Sequence, residues 1–101
     1  MFIVTNRITV TPENAAAFEE TFSASMRDNL GGVPGLHRAT LQRPEADGLP
    51  YVSTMEFDSK EAFLGWMRSD SFRNSHSNRE ANSLAAASAI EQHTVIEVVT
   101  A

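Results

Sequence analysis

His76 is the residue with the clearest chemical potential, because a neutral imidazole can ligate a metal or take a proton. It ends the run FLGWMRSDSFRNSH, Phe63 to His76. Phe63, Trp66 and Met67 recur at i, i+3 and i+4 and predict one helical stripe. Ser69 or Asp70 can cap a second helical piece that carries Phe72 and, four residues on, His76. An imidazole sharing a face with Phe72 has two readings: a core histidine with its hydrogen bonds satisfied, or an axial ligand to something large, flat and apolar. Asn6 is the second such residue. Phe2, Val4, Ile8 and Val10 alternate with Ile3, Thr5, Arg7 and Thr9, the pattern of a half-buried strand, and Asn6 falls on the apolar side. Left unpartnered there, its amide would cost about 1–3 kcal/mol. It either bonds neighbouring backbone or serves as a donor aimed into a cavity, and both readings stay open.

The elements that must position these residues follow in order. Thr11 as N-cap and Pro12 at the first position predict a helix whose stripe is Ala15, Phe18, Phe22 and Met26, with Glu19, Glu20, Arg27 and Asp28 on a solvated face. The Gly31–Gly35 cluster ends it. Leu36 to Arg43 reads as a strand with His37 on its rim, Pro44 to Pro50 as a hairpin loop, and Tyr51 to Phe57 as the returning strand. Asp58 is expected to cap the next helix, with Glu61 three residues later. After His76 come SNREANS and then LAAASAI, a segment readable as helix or mobile loop. His93 to Thr100 alternates as a last strand, with His93 on its surface edge.

The order β-α-β-β-α-β predicts an α+β, ferredoxin-like single domain over residues 1–101. Two helices cover one face of such a sheet. The other face is expected to bear Ile3 and further apolar positions, so two chains should pack sheet to sheet as a homodimer.

Composition narrows the function classes. The net charge of −5 and pI near 5.0 argue against nucleic acid, which needs a basic surface. No apolar run reaches the ~20 residues of a membrane span, and the amino-terminal stretch does not read as a signal peptide, so a cytoplasmic location is expected. With no cysteine there is no disulfide, iron–sulfur site, thiolate-ligated haem or covalent c-type haem. Dinucleotide, P-loop and HExxH motifs are absent. Asp70 and Glu80 flank His76 at a spacing that matches no established metal site.

The segment NRITV, Asn6 to Val10, and the pattern F-x-x-W-x-x-S-D-x-F-x-x-x-H, Phe63 to His76, together resemble the IsdG-type haem-degrading monooxygenases of the antibiotic-biosynthesis-monooxygenase, dimeric α+β barrel superfamily. The resemblance implies that His76 is the axial haem-iron ligand, that Asn6 faces the distal side, and that Trp66 presses on the porphyrin. Phe22, Phe63, Phe72 and Arg73 complete the implied haem-binding set, with Arg68 and Arg79 as further partners for the propionates. Haem would be both substrate and cofactor. O2 and an external electron donor, delivered by a reductase or small reductant, would open the ring and release iron. The segment from Ser77 to Ile90 departs from the family pattern, and LAAASAI is expected to act as a flap. Two alternatives accompany this reading: a cofactor-independent monooxygenase acting on a small aromatic or quinol substrate, and a haem-binding dimer without turnover.

Overall fold

Alternation along the first strand decides which way the sheet faces. β1 (Phe2–Thr9) buries Phe2, Val4 and Ile8 and exposes Arg7 and Thr9. The computed structural model describes residues 1–76 and 84–101, with the side chains of Ser75 and His76 outside that description. Thr11 and Pro12 open a 3-10 turn, Pro12–Asn14, so α1 (Ala15–Asn29) starts a turn later than expected. The tighter winding lets the Asn14 N–H reach the Thr11 carbonyl at 3.0 Å, and the Thr11 hydroxyl makes no capping bond. The expected stripe is present: Phe18 is fully buried, and Ala15, Phe22 and Met26 are half-buried.

The glycine cluster turns the chain into β2 (Leu36–Gln42), which pairs with β3 (Tyr51–Phe57). Gly35 has two reasons to be glycine. Its φ is +76°, and an added Cβ would lie 2.6 Å from that of Ala62.

The helix after β3 corrects the expected cap. Asp58 still donates its N–H to the Gly35 carbonyl at 2.8 Å, which leaves Ser59 to cap α2 (Lys60–Met67) by accepting the Ala62 N–H. The Asp58 carboxylate bonds the exposed His37 instead. Phe63 and Trp66 are buried, but Met67 is exposed because α2 stops there. Ser69 caps α3 (Asp70–His76), its Oγ accepting the Phe72 N–H at 3.3 Å.

The last strand is also displaced from its expected place. β4 is Ala87–Thr94, not His93 to Thr100. It runs antiparallel to β1 with Thr94 opposite Phe2, so beyond Thr94 no β1 residue remains to continue the ladder. Part of LAAASAI, expected as helix or flap, is therefore sheet; residues 77–83 lie outside the described residues.

The strand order β2-β3-β1-β4, all antiparallel, with helices on one face, is the expected α+β ferredoxin-like arrangement, its second helical unit divided into α2 and α3. The open face is more polar than expected. Cross-strand rows there join Arg38 to Glu56, and Thr5 to Thr54 and Thr40, while Arg7 reaches diagonally to Glu91, the register partner of Thr5, in a 2.5 Å ion pair. Ile3, Val52 and Ala89 are its apolar members among these rows. The most exposed large apolar residues among those described lie instead beyond β4, where Ile96, Val98 and Val99 are 95%, 75% and 84% exposed. No helix among the described residues is long and apolar enough to cross a membrane.

Candidate functional site

The core under the helices divides into two lobes. In one, Phe2, Val4, Met55 and Phe57 of the sheet meet Phe63 and Trp66 of α2. In the other, Ile8 and Tyr51 meet Phe18 of α1, with Phe22, Leu41 and Leu84 packed against them. Asn6 falls between Val4 and Ile8, at the junction. Its register partners are Ser53 on β3 and Ile90 on β4, so a row Ile90–Asn6–Ser53 runs across the sheet between the lobes.

The Asn6 Oδ1 is buried and has no hydrogen-bond partner among the described residues. No backbone group among the described residues bonds that oxygen. A half-turn about the last side-chain bond exchanges oxygen for N–H, so the same spot can present an acceptor or a donor to a ligand.

Trp66 is 7% exposed and packs on Phe57 and Phe63, with the Phe72 ring edge-on at 5.0 Å and 90°. Its indole N–H donates to the Ser71 Oγ at 3.0 Å, and that hydroxyl bonds the Asn29 carbonyl, tying the α2–α3 junction to the end of α1. Phe63, Trp66 and Phe72 are thus brought together in one lobe. Phe22 belongs to the other lobe, its ring tilted against that of Phe18 at 5.2 Å.

His76 is the last residue of α3, one helical turn beyond Phe72; its imidazole lies outside the described residues, as do Arg79 and Glu80. Arg73 is exposed and pairs with Asp70 within α3, and Arg68 is exposed too. His37 and His93 are surface residues, as expected. Among the described residues no three His, Asp or Glu side chains gather to hold a bare metal ion.

One cluster escaped the sequence reading. Glu19, assigned to a solvated face, accepts hydrogen bonds from the Tyr51 hydroxyl and from Arg43 Nε at 2.9 Å and Nη2 at 2.5 Å. The Arg43 and Tyr51 bonds hold its carboxyl down at about 2. Burial, and then the bond to Glu19, push the Tyr51 phenol up. The available signal was Tyr51 itself: alternation places it on the buried face, and a buried phenol needs a partner.

Residues 1–78 match the family model for antibiotic biosynthesis monooxygenase. A heme oxygenase (staphylobilin-producing) of Staphylococcus haemolyticus is 29% identical over 98 residues, spanning 94% of this chain and 91% of that protein. Two solved structures share the fold. The heme-degrader MhuD of Mycobacterium tuberculosis, with two hemes bound in its active site, is 23% identical with a TM-score of 0.81 and covers 99% of this chain and 100% of its own. SnoaB of Streptomyces nogalater, a cofactor-independent oxygenase, is 22% identical with a TM-score of 0.78, over 97% of this chain and 95% of its own.

Proposed function

The chain belongs to the antibiotic biosynthesis monooxygenase family, and from that premise we propose that it is a haem-degrading monooxygenase working as a homodimer. The observation that carries the reading is the orphaned Asn6 Oδ1, a buried polar atom set between two apolar lobes. A fold tolerates about 1–3 kcal/mol of unmade bonding where function uses it. The residues fit a flat, largely apolar ligand with one polar point. The staphylobilin-producing relative and the heme-bound MhuD fold supply the ligand class.

In this reading His76 would hold the haem iron through its imidazole, and Asn6 would offer its amide to the bound haem. Trp66, Phe63 and Phe72 form an aromatic wall from one lobe and Phe22 from the other. Arg73 is a candidate partner for a propionate. Haem, once bound, supplies the oxygen chemistry and is itself the molecule opened, with O2 and an external electron donor as co-reactants. The chain's own work is to bind, orient and shield. The Trp66 indole, already bonded to Ser71, acts as a fixed apolar surface, and Asn6 offers a hydrogen bond without bringing a charge into the pocket.

The likeness to SnoaB supports a second reading, a cofactor-independent oxygenase using the same seam for a small quinol. A haemin titration separates the two. Stoichiometric binding should give a Soret band that His76→Ala weakens or abolishes, and ascorbate in air should bleach it. Asn6→Ala should slow that bleaching. Weak, non-stoichiometric binding would favour the cofactor-independent enzyme. Tight binding with a Soret band that survives ascorbate would indicate storage without turnover.

A further inference from the structure

On the helix side of the sheet, β4 is a bare ledge. Its residues on that side, Ser88, Ile90, Gln92 and Thr94, are all exposed, whereas the β1 residues beside three of them, Ile8, Val4 and Phe2, are buried. Exposure suits the polar three. Ile90 is different: it is 62% exposed, and its register partner is Asn6. A single exposed isoleucine is ordinary on a protein surface. This one borders a buried amide oxygen that has no partner among the described residues. The ledge also carries no charge, because Glu91 turns to the other face and pairs with Arg7. An uncharged strip with one stiff, β-branched apolar side chain beside an orphan polar atom offers a flat ligand a seat and an approach to that atom.

We propose that Ile90 is a ligand-seating residue: the site opens over β4, and the apolar rim of the ligand rests on Ile90 while Asn6 meets its polar part. Ser53, on the far side of Asn6 in the same row, is small and half-buried and marks the inner end of the seat. The inference rests on the haem reading and adds to it the side from which the ligand enters. Because Ile90 is exposed at the sheet edge, changing it should leave the fold intact.

The test is a haemin titration of the full chain as wild type, Ile90→Glu and Ile90→Ala, with melting curves and size-exclusion chromatography on each. Placing a carboxylate under an apolar ligand rim should raise the haemin Kd about tenfold or more, and truncation to Ala about threefold, with unchanged melting temperatures. Should Ile90→Glu fail to fold, Ile90→Ala and Ile90→Thr carry the comparison. Wild-type affinity in the folded variants, with wild type binding stoichiometrically, overturns this inference and leaves the haem reading standing. Unchanged haemin affinity with a dimer lost in Ile90→Glu overturns it as well, and assigns Ile90 to contact with a second copy. Absence of stoichiometric binding by wild type overturns both the haem reading and this one.

Discussion

The two lobes of the core are held by different means. The α2 lobe is aromatic hydrocarbon throughout its centre: Phe2 and Phe57 each lie 5.6 Å from Phe63, and Phe57 lies 6.0 Å from Trp66. Its cohesion comes from burial and ring packing, which do not respond to pH. The α1 lobe has fewer fully buried members, and its Tyr51 is anchored through Glu19 to Arg43 at the start of the hairpin loop. Each lobe pins its own helix to the sheet. The seam at Asn6 thus lies between two helices that are each anchored separately.

The comparison is broken most sharply in the α2 lobe. Phe57 is fully buried, and Phe57→Ala should cost about 3–5 kcal/mol in urea denaturation. A loss below about 1 kcal/mol would show that this lobe does not carry the fold. Gly35→Ala comes next: it meets both a left-handed backbone and the Ala62 Cβ, and should cost roughly 2–4 kcal/mol by the same measurement. The seam should answer with the opposite sign. Asn6→Leu removes a buried amide oxygen that no described group bonds and should gain about 1–2 kcal/mol while abolishing haemin bleaching. A destabilised Asn6→Leu would mean that the amide is bonded internally.

The α1 lobe should give the smaller effects. Tyr51→Phe deletes one hydrogen bond and should cost about 1 kcal/mol, leaving Glu19 bonded to Arg43. The subtlest difference is in pH dependence. The Glu19 carboxyl sits at about 2 against an ordinary 4.5, so its contribution is fully present above 4.5 and drains away as pH falls toward 2. Wild-type melting temperature should fall more steeply across that window than that of Glu19→Gln. Parallel curves would remove Glu19 from the account.

Much of the fold was legible because its elements repeat with clean periods. The two-residue alternation of Phe2, Val4, Ile8 and of Tyr51, Met55, Phe57 named the buried faces correctly. The expected last strand failed for a related reason. Residues 95–99 are richer in large apolar side chains than 87–94, but a strand needs a partner, and the pairing of β4 with β1 closes with Thr94 opposite Phe2. The open face was misjudged because strand patterns locate apolar residues without showing which cross-strand charges neutralise one another. Of the candidate site, Asn6 and the aromatic set could be named from type and spacing. The Glu19–Tyr51–Arg43 clasp could not, since its members come from α1, β3 and a loop and meet only when these pack.

By itself, then, the order of apolar and polar residues determined the α+β topology, the buried strand faces and the presence of an asparagine where hydrocarbon was expected. Those are local properties, set by periods of two and 3.6 and by the cost of burying an amide. Tertiary structure alone decided that no described group bonds the Asn6 Oδ1, that Trp66 spends its N–H on Ser71, and that Ile90 stands exposed beside the seam. Each of these depends on which surfaces approach one another across the sheet, and residue spacing along one strand or helix carries no information about distances between elements.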